Sequence, residues 1–237
     1  MRKKHFDLEY IDNEKIALIS MNREPVNAFT TDSYAALKDI IKTINENDNV
    51  NVAILNSKLR LFSAGADIKE LESNTAKESA IRKDALRQAI SYLYNCKVPL
   101  ISAVNGAVIG AGAILATCAD IIIASEDAYF SIPEINIGVV GGGKGLTKIL
   151  PSQKVRTLAL TGESITAMEV EKYGGVEKVV EENKLEEETI KLAKNLTEKG
   201  GMALRKWKES LLLTESVGFL EGFYIEQSLS QDLNAFK

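Results

Sequence analysis

Residues 98–119 read Val-Pro-Leu-Ile-Ser-Ala-Val-Asn-Gly-Ala-Val-Ile-Gly-Ala-Gly-Ala-Ile-Leu-Ala-Thr-Cys-Ala, a run of 22 positions without a charge. A run of that length can cross a bilayer. It also holds Gly106-x-x-x-Gly110, a spacing that pairs helices in membranes. Its internal grammar argues for a different structure. Pro99 stands at the start, Asn105-Gly106 is a strong turn signal, and Ser102 and Thr117 dilute the apolar character. The reading is therefore a buried strand over Leu100–Val104, a turn, and a small-residue helix beginning at Gly110.

Working outward, the same alternation recurs. Val50–Leu55 reads as a buried strand, Ser57–Gly65 as a loop, Asp67–Glu72 as a short helix and Ala76–Tyr94 as a longer one. Asp120–Ala124 is a further strand, closed by Ser125-Glu126-Asp127. Strands and helices that alternate in this way imply an α/β fold with crossovers. Upstream, Phe6–Ile11 and Lys15–Met21 alternate apolar and polar residues around Asp12-Asn13-Glu14, the pattern of a hairpin. Thr30 or Thr31 caps a helix from about Asp32 to Asn45, with Leu37, Ile40, Ile41 and Ile44 on one face. Downstream, the chain from Lys154 is mostly helical, with one short strand near Val176–Val180. Leu185–Glu198 and Met202–Thr214 are charged amphipathic helices. A composition shift near residue 190 divides the chain into a core, 1–190, and a helical region, 191–237.

Composition excludes several classes. Of 237 residues, 45% are apolar, enough for a real core, and 26% are charged, so the chain is not disordered throughout. The net charge is −4, where a nucleic-acid binder would carry a basic surplus. The basic cluster Arg2, Lys3 and Lys4 reads as a solvated tail. Met1–Tyr10 lacks an apolar signal core, and Cys96 and Cys118 have neither metal-site spacing nor the numbers for a disulfide scaffold. The expectation is a cytoplasmic protein with reduced thiols, not a membrane one. His5 is the only histidine, which removes the Ser-His-Asp triad and multi-histidine zinc sites, so no metal site is expected. Proton chemistry then falls to carboxylates, Lys, Tyr, Cys or backbone amides.

Four short segments are chemically suggestive. Phe62-Ser63-Ala64-Gly65-Ala66-Asp67-Ile68-Lys69-Glu70 places small residues between a strand and a helix. It is either a tight connection or a turn whose backbone N–H groups hold an anion. Asn105–Gly112 repeats the arrangement, and fails as a dinucleotide fingerprint because Leu115 stands where Gly or Ala is required. Ile132-Pro133-Glu134-Ile135-Asn136-Ile137-Gly138 sets one carboxylate among apolar neighbours. It is either a surface glutamate or a base whose pKa burial would raise. Gly138-x4-Gly143-Lys144-Gly145 imitates a phosphate-binding loop but has Gly145 in place of the magnesium-binding Ser or Thr.

In order and spacing these segments resemble the crotonase superfamily, the enoyl-CoA hydratase/isomerase family, from Phe6 to about Phe236. Pro25-Val26-Asn27-Ala28 looks like its loop beside bound coenzyme A, and Ser63–Ile68, Pro99–Asp120 and Pro133-Glu134 with Gly138 look like its signatures. Leu160–Ala167 and the last residues resemble its later helices. The resemblance implies a crotonase-like (ClpP/crotonase) α/β spiral of ββα units with a helical C-terminal trimerisation region, as a homotrimer or hexamer. It implies an acyl-CoA thioester as substrate, with coenzyme A entering as part of it and no separate cofactor. It maps an oxyanion hole onto the backbone N–H groups of Ala66 and Ala111, and a catalytic base onto Glu134. Val26, Ala64, Asp67, Ile68, Lys69, Gly110, Ile114 and Pro133 are the implied substrate-binding positions. Lys69, Lys58 and Arg60 are candidates for the 3′-phosphate by charge and position alone.

One departure from the family pattern bears on the reaction. Hydratases of the family carry a second glutamate where this chain has Ile114. Ile114 follows Ala111 by three residues, so it shares that helix face and should point into the site. Asp120 lies nine residues past Ala111, ~13 Å along the axis, too far to substitute. A single base suits movement of a double bond better than addition of water. The expectation is thus an enoyl-CoA isomerase, with a hydratase or an acyl-CoA decarboxylase as alternatives and a non-catalytic CoA-binding protein as the rival class.

Overall fold

A computed structural model describes residues 2, 3 and 5–235; Lys4 of the basic cluster and Phe236 at the end of the family resemblance lie outside them. The strands in chain order are β1 (Arg2–Lys3), β2 (Phe6–Ile11), β3 (Ile16–Met21), β4 (Val52–Ser57), β5 (Leu100–Val104), β6 (Ala107–Ile109), β7 (Ile121–Ser125), β8 (Tyr129–Ser131), β9 (Ser164–Thr166) and β10 (Lys178–Val180). The helices are α1 (Thr31–Asn45), α2 (Ile68–Ser73), α3 (Ala76–Tyr94), α4 (Ala111–Thr117), α5 (Gly143–Leu146), α6 (Ser152–Thr161), α7 (Ala167–Lys172), α8 (Leu185–Thr197), α9 (Gly201–Thr214) and α10 (Phe219–Ala235). Short 3₁₀ turns cover Pro133–Ile137 and Glu182–Lys184.

The hairpin forms as its pattern requires. Phe6 pairs with Met21 and Ile11 with Ile16, and Asp12, Asn13 and Glu14 make the turn with positive φ. From β3 onward the main sheet is parallel. Ile16 pairs with Val52, Ala53 with Leu100 and Ile101 with Ile121, and β10 completes the order β1-β2-β3-β4-β5-β7-β10. The Arg2–Lys3 backbone is the edge strand on β2.

Alternation sends side chains to two cores. Leu55, Leu100 and Val104 join Leu37, Ile41, Ile44, Leu93 and Leu115 on one face. Ile16, Ile54, Ile101 and Ile123 join Leu185, Ala193 and Leu204 on the other. Each fully buried Leu or Ile contributes roughly 1.5–3 kcal/mol. Helix α1 starts at a capping box made by Thr30 and Ser33, and α3 at one made by Thr75 and Glu78. Residue 190 falls inside α8, which packs on the main sheet, whereas α10 packs on α9.

The uncharged stretch is a strand, a turn, a second strand and a seven-residue helix. Gly106 and Gly110 both sit at positive φ, +54° and +53°, outside any helix, so their spacing is not a helix-pairing face. Among the described residues no helix is long and apolar enough to cross a membrane. The Val50 strand starts instead at Val52 and runs to Ser57, because Val50 N–H closes a turn onto Asn47 O. A second sheet, β6-β8-β9, was not expected from the residues alone.

Candidate active site

The second sheet positions the two small-residue turns. Phe62 N–H donates to Asn105 O, Ser63 N–H to Ala107 O and Ile109 N–H to Ser63 O, at 2.7, 3.0 and 2.9 Å. The first turn is thereby laid along β6. Its other side is held by Phe29, whose N–H donates to Gly65 O at 2.7 Å and whose carbonyl accepts from Asp67 N–H at 2.9 Å. Ala64 N–H donates to Val26 O at 3.0 Å, and Ser63 Oγ bridges Asn27 O and Gly65 N–H. Between these anchors the N–H of Ala66 has no acceptor among the described residues.

The second turn ends at Gly110, whose N–H donates to Ser131 O at 2.8 Å. Helix α4 then begins, leaving Ala111 N–H without an acceptor among the described residues. The two turns abut. A Cβ on Gly65 would lie 2.9 Å from Ile109 O and 3.5 Å from Ala111 N, and one on Gly112 would lie 2.7 Å from Ser63 Cβ. Glycine at 65 and 112 is what allows this approach. Two unpartnered amides on abutting turns can receive an oxygen that becomes anionic.

Glu134 stands at the same place. The turn Pro133–Ile137 carries it, with Pro133 at its start and Gly138 closing it in the left-handed conformation. Its carboxylate lies against Gly110, where a Cβ would come within 2.7 Å of Oε1. Its Oε2 is buried with no hydrogen-bond partner. Burial pushes its pKa above the usual glutamate value, and its own backbone N–H offsets this only in part. A half-buried, unpaired, proton-avid carboxylate has the properties of a general base.

Ile114 is the one residue of α4 that is not fully buried. The glycine run lies against it. A Cβ on Gly142 would meet Ile132 Cγ2 at 2.6 Å and Ile114 Cγ1 at 3.9 Å. Ile114, on the helix that starts beside the Glu134 carboxylate, thus meets Ile132 across the glycine run. The other acids considered have settings of their own. Glu70 accepts from Thr31 N–H and Oγ1, at 2.9 and 2.7 Å, and Asp120 accepts from Lys208 Nζ and Leu100 N–H, both at 2.7 Å. Glu126 lines a depression beside β10 and α8 with Lys178 and Glu188.

The Asp67 side chain is engaged within the fold. Its carboxylate caps α2 and meets Arg23 at 2.6 Å. Burial raises its pKa, but the Arg23 guanidinium and the N–H groups of Glu70 and Lys69 outweigh that and hold it below the usual range. The side chain is structural, and Arg23, absent from the sequence reading, is its partner; nothing in the spacing of 23 and 67 signals the pair. Ile68 and Lys69 are exposed, and Val26, Ala64 and Pro133 are partly exposed around the turns. Lys58 pairs with Asp7 and Glu9 at 3.0 and 3.1 Å, so it is not a spare cation, while Arg60 is exposed.

The glycine run after Gly138 has the setting of an imitation and not of a phosphate loop. A 3₁₀ turn, not a strand, precedes the glycines, and Gly143–Leu146 is a single helical turn. Among the described residues no group of His, Cys, Asp and Glu is arranged to hold a metal. Cys96 and Cys118 are free and buried, and burial pushes the Cys118 thiol up to about 11.

Fold and site together define an α/β scaffold that sets two free backbone donors near one half-buried carboxylate. Comparison with known proteins supplies the family. The family model for enoyl-CoA hydratase/isomerase matches residues 12–235, and the chain belongs to that family. It is 31% identical over 226 residues to the (7aS)-7a-methyl-1,5-dioxo-2,3,5,6,7,7a-hexahydro-1H-indene-carboxyl-CoA hydrolase of Rhodococcus jostii, covering 94% of this chain and 87% of that one. It is 33% identical over 219 residues to a probable mitochondrial enoyl-CoA hydratase of Dictyostelium discoideum, covering 91% and 78%. The crystal structure of an enoyl-CoA hydratase from Bacillus anthracis superposes with a TM-score of 0.92 at 28% identity, covering 96% and 90%.

Proposed function

We propose that this family member moves a carbon-bound proton on an acyl-CoA thioester, and that its reaction is double-bond isomerisation of an enoyl-CoA. The thioester oxygen would lie between the N–H groups of Ala66 and Ala111, each worth ~3–4 kcal/mol to the enolate. Glu134 would take a proton from one carbon and return it to another. The observation that carries this reading is the buried, unpartnered Oε2 of Glu134 set against Gly110, one residue before the free amide of Ala111, with Ile114 and not an acid on the next turn of that helix. Water addition needs a nucleophile held, deprotonated and its second proton managed. Glu70, Asp67 and Asp120 are each held by partners of their own, which leaves Glu134 as the carboxylate set against the opening of α4. Coenzyme A enters only as part of the substrate.

A second reading is hydrolysis of a cyclic keto-acyl-CoA, the activity named for the Rhodococcus relative and for a Mycobacterium tuberculosis relative also 31% identical. Hydration is the activity named for the Dictyostelium relative. The deciding experiment incubates the protein with 2-enoyl-CoA, 3-enoyl-CoA and a cyclic β-keto acyl-CoA and follows product mass and double-bond position. Unchanged mass with a shifted double bond supports isomerisation; a gain of 18 mass units, the mass of one water, from either of the other substrates defeats it.

The assembly proposed is a homotrimer or hexamer, with 1–190 as the acyl-CoA core and 191–237 as the oligomerisation region, in the cytoplasm. Exposed Trp207, Leu211, Phe219, Leu220 and Tyr224 on α9 and α10 supply an apolar surface that supports this.

A further inference from the structure

Asn27 is 2% exposed, and each of its polar groups is bonded. Within its own loop its N–H donates to Arg23 O and its Oδ1 accepts from Arg23 N–H, both at 2.8 Å. Beyond the loop its Nδ2 donates to Ser57 Oγ at 2.7 Å and to Phe62 O at 3.0 Å, and its carbonyl accepts from Ser63 Oγ at 2.8 Å. Its φ of +47° lies in the left-handed region, which asparagine tolerates better than most side chains. One residue thus closes the loop that begins at Arg23 and fastens it to the end of β4 and to the start of the turn that carries Ala66.

Two routes lead from Asn27 to the Ala66 donor. Along the first, Ser63 Oγ, bonded to Asn27 O, accepts from Gly65 N–H at 3.0 Å. Along the second, Phe29, two residues past Asn27, pairs with Ala66 as an isolated parallel bridge. Its N–H donates to Gly65 O at 2.7 Å. Gly65 C=O and Ala66 N–H belong to one planar trans peptide, so they point in opposite directions. Holding Gly65 O therefore aims Ala66 N–H. Arg23 braces the same frame, donating from Nη1 to Ala28 O at 2.9 Å and from Nη2 to Asp67 Oδ2 at 2.6 Å.

We propose that Asn27 is the positioning residue of the Ala66 oxyanion donor, setting the direction of that N–H through Ser63 and Phe29. This rests on the acyl-CoA reading above. Buried as it is, Asn27 acts on the reaction only through the turn. A hydrogen bond weakens steeply as its angle closes, and a donor pays most where charge develops on the oxygen. Turning Ala66 N–H off its line should therefore weaken the hold on an enolate far more than the hold on a neutral ester.

The test uses two esters. Acetoacetyl-CoA loses a proton from between its carbonyls to give an enolate that absorbs in the near ultraviolet. Titrating that band on the bound ester reads how well the donors hold an oxyanion. Butyryl-CoA, which lacks that acidity, reads ground-state binding by calorimetry. The wild-type protein is expected to lower the enolisation pKa of the bound ester below that of the free one. Asn27→Gly keeps the backbone conformation open and deletes the side-chain bonds. It should give back about one pH unit, a tenfold weaker hold on the enolate, with butyryl-CoA affinity within about twofold of wild type. Ser63→Ala should move the same reading in the same direction. An unmoved enolisation pKa in Asn27→Gly, or a loss of butyryl-CoA affinity as large as the loss of enolate binding, overturns the positioning role and leaves the acyl-CoA reading standing. Wild-type protein that binds neither ester, or binds acetoacetyl-CoA without lowering its enolisation pKa, overturns both. Should Asn27→Gly not fold, Ser63→Ala decides, and an unmoved enolisation pKa there overturns the role.

Discussion

The carboxylate of Glu134 occupies the space that a side chain at Gly110 would need, with Oε1 2.7 Å from the position of the missing Cβ. Gly110 also holds φ at +53°. Two demands thus fall on one residue, the turn that opens α4 and the seat of the carboxylate. Gly110→Ala is expected to cost ~1–3 kcal/mol through backbone strain. It should also lower kcat by tenfold or more as the carboxylate is displaced, with KM changed less. Urea unfolding and steady-state kinetics on one preparation check both.

Glu134→Gln should reduce kcat by ~10²–10⁴ while thioester binding and the fold persist, since only the base is lost. A mutant that keeps more than half of wild-type kcat would remove Glu134 from the reaction.

The pH dependence follows from the same group. Burial raises its pKa, so activity should fall as pH drops through a value above that of an ordinary glutamate. For stability the sign is opposite. A carboxyl with a raised folded pKa binds its proton more tightly in the native state, so its contribution is full at low pH. It is lost as pH rises from the ordinary value through the raised one. An acid limb of kcat/KM at the ordinary glutamate value would contradict the desolvated setting.

Ile114→Glu places a second carboxylate beside Glu134. Two acids in one partly buried site should split their pKa values and supply an acid and a base together. Hydration of 2-enoyl-CoA is expected to rise from background, at a stability cost of ~1–3 kcal/mol. Wild-type protein that already hydrates this substrate at enzymatic rates would show that Ile114 is not the limiting feature.

Lys208 is 3% exposed at its side chain and donates to Asp120 Oδ2 at 2.7 Å and Val98 O at 3.1 Å. It ties α9 to the start of β5. Lys208→Met should cost about 3 kcal/mol, the lower end of the range for breaking a buried pair, because Asp120 retains some solvent. Thermal unfolding of Lys208→Met beside a Lys208→Met/Asp120→Leu double variant checks this, and the second change should recover part of the loss.

The main sheet was legible because its strands announce themselves by apolar runs bounded by turns, as in Leu100–Val104 before Asn105-Gly106. The second sheet was not. Ala107–Ile109 and Tyr129–Ser131 are three-residue strands, too short for any period to register, and their pairing is set by contacts across the chain. In the site, the apolar neighbours of Glu134 left it open between surface glutamate and buried base, and its half-buried place against Gly110 is what the fold adds. The fate of Asp67 could not be read, because Arg23 lies 44 positions away and meets it only once the turn is folded.

The amides of Ala66 and Ala111 have a genetic consequence. A side chain can be deleted by any of many codon changes, but a backbone N–H disappears only when proline is encoded. At Ala111 the first helical position tolerates proline, whose φ suits it and whose missing hydrogen leaves no bond in the chain unmade. One base change in an alanine codon could therefore silence that donor in a protein that still folds, and a survey of tolerated variants would record the loss only by its chemistry.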